Sequence, residues 1–191
     1  MGKGRLEAFT DGVIAIIITI MVLDLKVPQG NDLAALRSTV PVFLAYVLSY
    51  VNVGIFWNNH HHIMHATERI NGRVLWANLF LLFWLSLVPF VIRWIDETGV
   101  EALPTAAYGV VLGLASIGYG QLQRAIIACN GGSSALARAI GGDLKGKASL
   151  AAYVLAVPLA FVNPLLAVAL YVLTALAWLV PDRRIEARSS I

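Results

Sequence analysis

Charge and cysteine are what this sequence has least of. Asp, Glu, Lys and Arg make up 13% of its 191 residues, against roughly a quarter in an ordinary soluble domain. With 59% hydrophobic residues and a mean hydropathy of +0.76, too few charges remain to clothe a water-facing surface. Most of that surface must face lipid. The single cysteine, Cys129, excludes an internal disulfide and a thiolate metal cage within one chain. Its place near the end of an apolar run suits a small packing residue. The net charge of +3 calls for no nucleic-acid partner.

Catalytic signatures are missing as well. There is no Gly-rich phosphate loop, no HExxH pair, no paired intramembrane carboxylates and no serine beside a plausible base. Neither an enzyme nor a cofactor is expected. An arginine ladder of the voltage-sensor kind and the T-V-G-Y-G potassium filter are also absent. No strand alternation, heptad repeat or low-complexity tract competes with helices, and "FTDG" occurs once, so no internal duplication is indicated. A cleavable signal peptide is not expected, because the first apolar run ends in Asp24-Leu25-Lys26 rather than in small residues.

What the chain does have is long apolar runs, at about 9–25, 41–59, 74–95, 104–128, 148–163 and 164–180. A bilayer core takes roughly 20 helical residues, and the first four runs meet that directly. The last two form one stretch interrupted by Asn163-Pro164, where proline breaks the helix. Two short spans fit this stretch better than one kinked span, because a hairpin puts the basic residues flanking it on one side. The expected fold is a single all-α transmembrane domain over 1–191. Its six helices fall near 5–25, 41–65, 72–95, 104–129, 146–163 and 164–181. Segment 32–40 is expected to lie in the outer interface before Pro41, and 131–147 to be a mobile polar loop.

Loop charges orient the six spans. One side gathers eleven Lys and Arg: Lys3, Arg5, Arg69, Arg73, Arg124, Arg138, Lys145, Lys147, Arg183, Arg184 and Arg188. The other holds three, Lys26, Arg37 and Arg93, among several acids. Both termini are therefore expected in the cytoplasm, in a multi-pass protein of the cell's inner (plasma) membrane.

Ionisable groups inside a membrane are costly and usually face protein or water. Asp11 lies about one turn inside the first span, the histidines 60, 61, 62 and 65 close the second, and Asn78 sits within the third. His61 and His65, at i and i+4, could share a helix face as metal ligands do. No cysteine or well-placed carboxylate completes a tetrahedral site, apart from Glu68 just beyond, so no metal site is expected. His60, one turn after Trp57, is the histidine best placed for a structural network with it. Gly109, Gly113, Gly118 and Gly120 suit close helix packing, and Trp94 and Trp178 suit interfacial anchoring.

The first helix carries the sharpest pattern. At about 100° per residue, Ile16, Ile20 and Leu23 fall within about 60° of one another. Thr19 borders that stripe, and Asp11 projects about 140° from Ile16. Asp11 therefore points toward neighbouring helices, where donors must meet its carboxylate. By itself the apolar column is more often ordinary packing.

Three ordered motifs change that reading. "RLEAFTDG" resembles the R-x-x-x-F-S-D signature that opens the first helix of the transmembrane protein 175 family of potassium channels. "FWNNHHH" is similar to the family's W-x-x-H at the end of the second helix, and "WANLFLLFWLSLVPF" to the N-L…P-F pattern of the third. The resemblance spans roughly residues 5–90; the remainder adds only the helix count. Thr10 stands where the family usually has serine, and both supply a hydroxyl.

The resemblance implies a homotetramer whose first helices line a central pore conducting potassium and other monovalent cations. By position it makes Ile16, Ile20 and Leu23 the apolar constriction. It also ties Arg5, Phe9, Thr10 and Asp11 to Trp57, His60 and Asn78. An ion crossing an apolar ring loses water without gaining strong ligands, and potassium dehydrates more easily than sodium. Weak potassium selectivity is thus expected, with Thr19 standing in for some lost water and Asp24 attracting cations at the outer mouth. A proton-coupled secondary transporter using Asp11 and His60, or a non-transporting membrane scaffold, are the alternatives. The former would ordinarily show internal repeats.

Overall fold

The structure is a computed structural model that describes residues 2–131 and 143–179. Among these residues it is helical throughout, without strands. The helices are α1 (Lys3–Leu23), α2 (Leu33–His65), α3 (Gly72–Ser86), α4 (Val88–Thr98), α5 (Ala102–Asn130), α6 (Leu144–Val162) and α7 (Pro164–Leu179). Arg138, Arg183, Arg184 and Arg188, which contribute to the loop-charge asymmetry, lie outside the described residues, as does most of the 131–147 connection.

Side-chain caps set several boundaries. Asp32 accepts from the Ala35 amide at 2.8 Å, Asn71 from Val74 at 3.1 Å, and Asp143 from Gly146 at 2.9 Å. Each satisfies a first-turn donor that the helix itself leaves unpaired. The Asp32 cap corrects one expectation, since α2 begins at Leu33 and continues through Pro41. Its 33 residues would reach about 50 Å at 1.5 Å per residue. That exceeds the hydrocarbon core, and the stretch apolar enough to cross it starts at Thr39.

The third apolar run departs from expectation in the opposite sense. It divides into α3 and α4 at Leu87, whose amide bonds back to Trp84 at 3.2 Å. Pro89 supplies no amide and crowds the carbonyl four residues before it, so the regular ladder is interrupted there. Together α3 and α4 make one candidate span, Gly72–Thr98.

Among the described residues, five stretches are long and apolar enough to cross a membrane: Lys3–Leu23, Thr39–His65, Gly72–Thr98, Ala102–Asn130 and Leu144–Val162. The sixth expected span is the shorter α7, 16 residues within the described chain. It is separated from α6 at Asn163, which is extended (φ −157°, ψ 112°). The Asn163 side chain then accepts from the Leu165 amide at 2.9 Å, capping α7 as Pro164 opens it.

Helix α5 is the hub, packed against α3, α4, α6 and α7, while α1 rests on α2 and α3. Two glycines permit this. A Cβ on Gly109 would strike the Tyr171 hydroxyl, and one on Gly118 would come within 3.0 Å of the Leu81 Cα. Gly113 would meet only ordinary contact and Gly120 open space, so the small-residue argument holds at the first and third of the four.

Candidate functional site

The isoleucine-rich run of α1 divides into two faces. Ile14, Ile17 and Met21 are buried at 1–3% exposure, whereas Ile16, Ile20 and Leu23 stand 58%, 44% and 82% exposed in the isolated chain. Gly12 and Thr19 are exposed as well, and the Thr19 hydroxyl donates to the Ile16 carbonyl at 3.0 Å. One helix thus anchors itself with three large apolar residues and presents three others to whatever lies beyond the protomer.

Two polar connections hold the lower end of α1. Buried Thr10 accepts from Asn78 Nδ2 of α3 at 2.8 Å, and Asn78 Oδ1 lies 3.0 Å from His60 Nε2 of α2. Since the Asn78 amide nitrogen donates to Thr10, its oxygen accepts from His60, and Nε2 carries the proton. Beside this line, Trp57 Nε1 donates to Asp11 Oδ1 at 2.9 Å. Asp11 is exposed at the edge of the α1 face, so its bond sits on the rim and the Thr10–Asn78–His60 line inside.

Not every expected member joins. The Arg5 side chain and Phe9 share the exposed face, and neither hydrogen-bonds this network among the described residues. Trp57 and His60 do not pair with each other. Trp57 stacks on His61 (5.9 Å, 28°), which stacks on His65 (6.3 Å, 20°). His61 and His65 do share a face, and no group of three or more His, Cys, Asp or Glu able to hold a metal occurs among the described residues. Asp24 lies 4.0 Å from the Arg93 guanidinium, and Lys26 pairs with Asp96 at 3.0 Å, so acids and bases offset one another at this end of the bundle.

The sequence reading missed a second buried network. The hydroxyls of Ser49 and Tyr108 lie 3.0 Å apart, Asn52 Nδ2 donates to Tyr108 at 3.3 Å, and the Tyr153 hydroxyl donates to Asn52 Oδ1 at 3.4 Å. Tyr171 donates to the Thr105 carbonyl at 2.9 Å nearby. Its signal was the mid-span position of these tyrosines, since a buried tyrosine hydroxyl usually demands a partner. Asn130 was missed too. It accepts from the Glu68 and Arg69 amides at 3.1 and 2.8 Å, clipping the α2–α3 loop to the end of α5.

Comparison with known proteins gives this geometry a context. The family model for the endosomal/lysosomal potassium channel TMEM175 matches residues 5–89. A potassium channel of Chryseobacterium sp. (strain P1-3) is 50% identical over 186 residues, covering 97% of each chain. The chain belongs to the TMEM175 family. A potassium channel of Streptomyces collinus is 35% identical over 118 residues, 58% of this chain and 57% of that one. The crystal structure of a lysosomal potassium-selective channel TMEM175 homolog from Chamaesiphon minutus aligns with a TM-score of 0.71. It is 26% identical over 92% of this chain and 95% of that one. This is an all-α membrane protein with a TMEM175-like fold, and the family match takes in every residue of the α1 face and of the Thr10–Asn78–His60 line.

Proposed function

We propose that this TMEM175-family chain forms a passive, weakly potassium-selective cation channel. Four copies surround a central axis, with α1 of each lining the pore. Ile16, Ile20 and Leu23 form the apolar constriction, and α7 serves as the sixth span. Both termini lie in the cytoplasm, as the eleven-to-three split of Lys and Arg argues.

The observation that carries this reading is the company kept by the exposed apolar face. Ile16, Ile20 and Leu23 stand open on a helix whose opposite side is buried. The same open side carries the Arg5 guanidinium and Gly12, about 20° and 40° around the helix from Ile16. A guanidinium turned toward hydrocarbon is costly, so this face suits water or protein rather than lipid tails. Four such faces around an axis give a neck that ions enter only by shedding water, which favours potassium over sodium modestly. With its hydroxyl bound to the Ile16 carbonyl, Thr19 offers an oxygen to the pore more readily than a proton. Asp24 contributes little to cation attraction because Arg93 stands beside it.

The Thr10–Asn78–His60 line and the Trp57–Asp11 bond serve to position α1. The transporter alternative finds less support, since Asp11 bonds Trp57 and His60 bonds Asn78, each held by a different partner. The test is current through the purified protein in liposomes under a potassium gradient. A channel gives passive current reversing close to the potassium equilibrium potential. A scaffold gives none, and a proton-coupled transporter reverses with the pH gradient.

A further inference from the structure

Away from α1, a cavity of about 260 Å³ opens between α2, α5, α6 and the end of α7. Its inner end is closed by buried Asn52 and Tyr153, members of the second network. Its walls are mixed, with Asn59, Gln123, Ser149 and Trp178 among apolar side chains. Two cations line it from facing helices, Arg124 of α5 and Lys147 of α6, and both are exposed. Neither forms a hydrogen bond or ion pair through its side chain among the described residues. The wall itself is fixed. Trp178 donates to Ser149 at 2.8 Å, and the Lys145 ammonium sits 5.7 Å over the indole ring.

The charges of the lining sum to one positive unit, because Asp143 also lines the cavity while capping Gly146 at 2.9 Å. This end of the bundle is where the N-terminus lies, since Lys3 reaches the His65 carbonyl and Asn130 clips the loop after His65 to α5. Basic pockets between membrane helices at headgroup level are suited to lipid phosphates. A volume of 260 Å³ equals about nine waters at roughly 30 Å³ each, room for a phosphate and a short polar substituent.

We propose that this cavity seats the phosphodiester headgroup of a singly charged anionic lipid. Arg124 and Lys147 hold the phosphate, and Asn59 and Gln123 offer hydrogen bonds to the headgroup. The lipid braces α2, α5, α6 and α7 against one another.

The test is native mass spectrometry of the purified full chain after exposure to equimolar phosphatidylglycerol and phosphatidylcholine. Each net basic charge near a lipid phosphate favours the anionic lipid by about 5-fold, so with Asp143 offsetting one of the two cations the wild type should retain phosphatidylglycerol preferentially by about 5-fold. Arg124→Gln with Lys147→Gln should abolish that preference. Arg69→Gln with Arg73→Gln, at the same end of the bundle but outside the cavity, should leave it intact. Equal retention of the two lipids by the wild type overturns the proposal, whatever the variants do. So does equal loss in the Arg69/Arg73 pair, which would assign the preference to diffuse surface charge. Displacement of the lipid by equimolar soluble glycerol phosphate would also overturn it, by assigning the site to a free phosphate ester.

Discussion

Helix α2 carries a buried polar network on each of two sides, and the two networks differ in what lies beyond them. Through His60 it reaches Asn78 and Thr10, and so fixes α1. Through Ser49 and Asn52 it reaches Tyr108 and Tyr153, and so fixes α5 and α6. Both replace water with protein partners, as burial requires. The first, however, holds the lower end of the helix that bears the exposed isoleucine face, while the second borders only the core and a cavity. The lesson is that equal chemistry can serve unequal ends. In the proposed channel, one network would position the pore-lining helix, and the other would hold the scaffold together.

The largest break in this comparison should come from Asn78→Ala. It strands the Thr10 hydroxyl and the His60 ring nitrogen together, each costing about 1–3 kcal/mol when buried without a partner. Thermal stability should fall markedly, and potassium flux in liposomes should be lost with it, because α1 is no longer held. Lowered stability with normal flux and selectivity would show that the line does not position the pore.

Tyr108→Phe should be milder. It strands the buried Ser49 hydroxyl, while Asn52 keeps the Leu48 carbonyl and Tyr153 as partners, so a loss of about 1–2 kcal/mol is expected. Here conductance and reversal potential should stay at wild-type values. A changed potassium-to-sodium preference would erase the proposed distinction between the two networks.

The smallest effect belongs to Asp24→Asn. With Arg93 4.0 Å away, the carboxylate has little field to offer passing cations. Reversal potentials should not move, and single-channel conductance should drop slightly, only at low ionic strength where screening is weak. A large drop at physiological salt would restore Asp24 as a cation-concentrating group.

How far the sequence could be read differs along the chain. The spans were legible because each is a run of apolar residues, and the break before α7 because Asn163-Pro164 both stops one helix and caps the next. Division of α1 into two faces followed from helical periodicity, with Ile17 at 3% exposure and Ile16 at 58%. The start of α2 was misplaced because Pro41 outweighed the quieter Asp32 cap. The interruption at Leu87 was overlooked because Pro89 lies inside an otherwise seamless apolar run. Tyrosines inside the spans signalled that partners must exist, but Asn52–Tyr108 and Asn52–Tyr153 join residues 56 and 101 positions apart, so which partners they find depends on helix packing that no local pattern reports. What Ile16 faces was beyond composition altogether, since a pore and a lipid tail can both accept an isoleucine.

What Ile16 faces decides whether α1 lines an ion path. The direct measurement is the bi-ionic reversal potential, potassium against sodium, of Ile16→Asn beside the wild type and Ile17→Asn. Four amides in place of four apolar side chains would let water remain in the neck, so differential dehydration would no longer discriminate. The Ile16 variant should conduct more, and its reversal potential should move toward zero. Ile17→Asn buries an amide behind α1 and should chiefly lower the yield of folded protein. If Ile16→Asn keeps wild-type conductance and selectivity, α1 does not present its exposed face to the ion path.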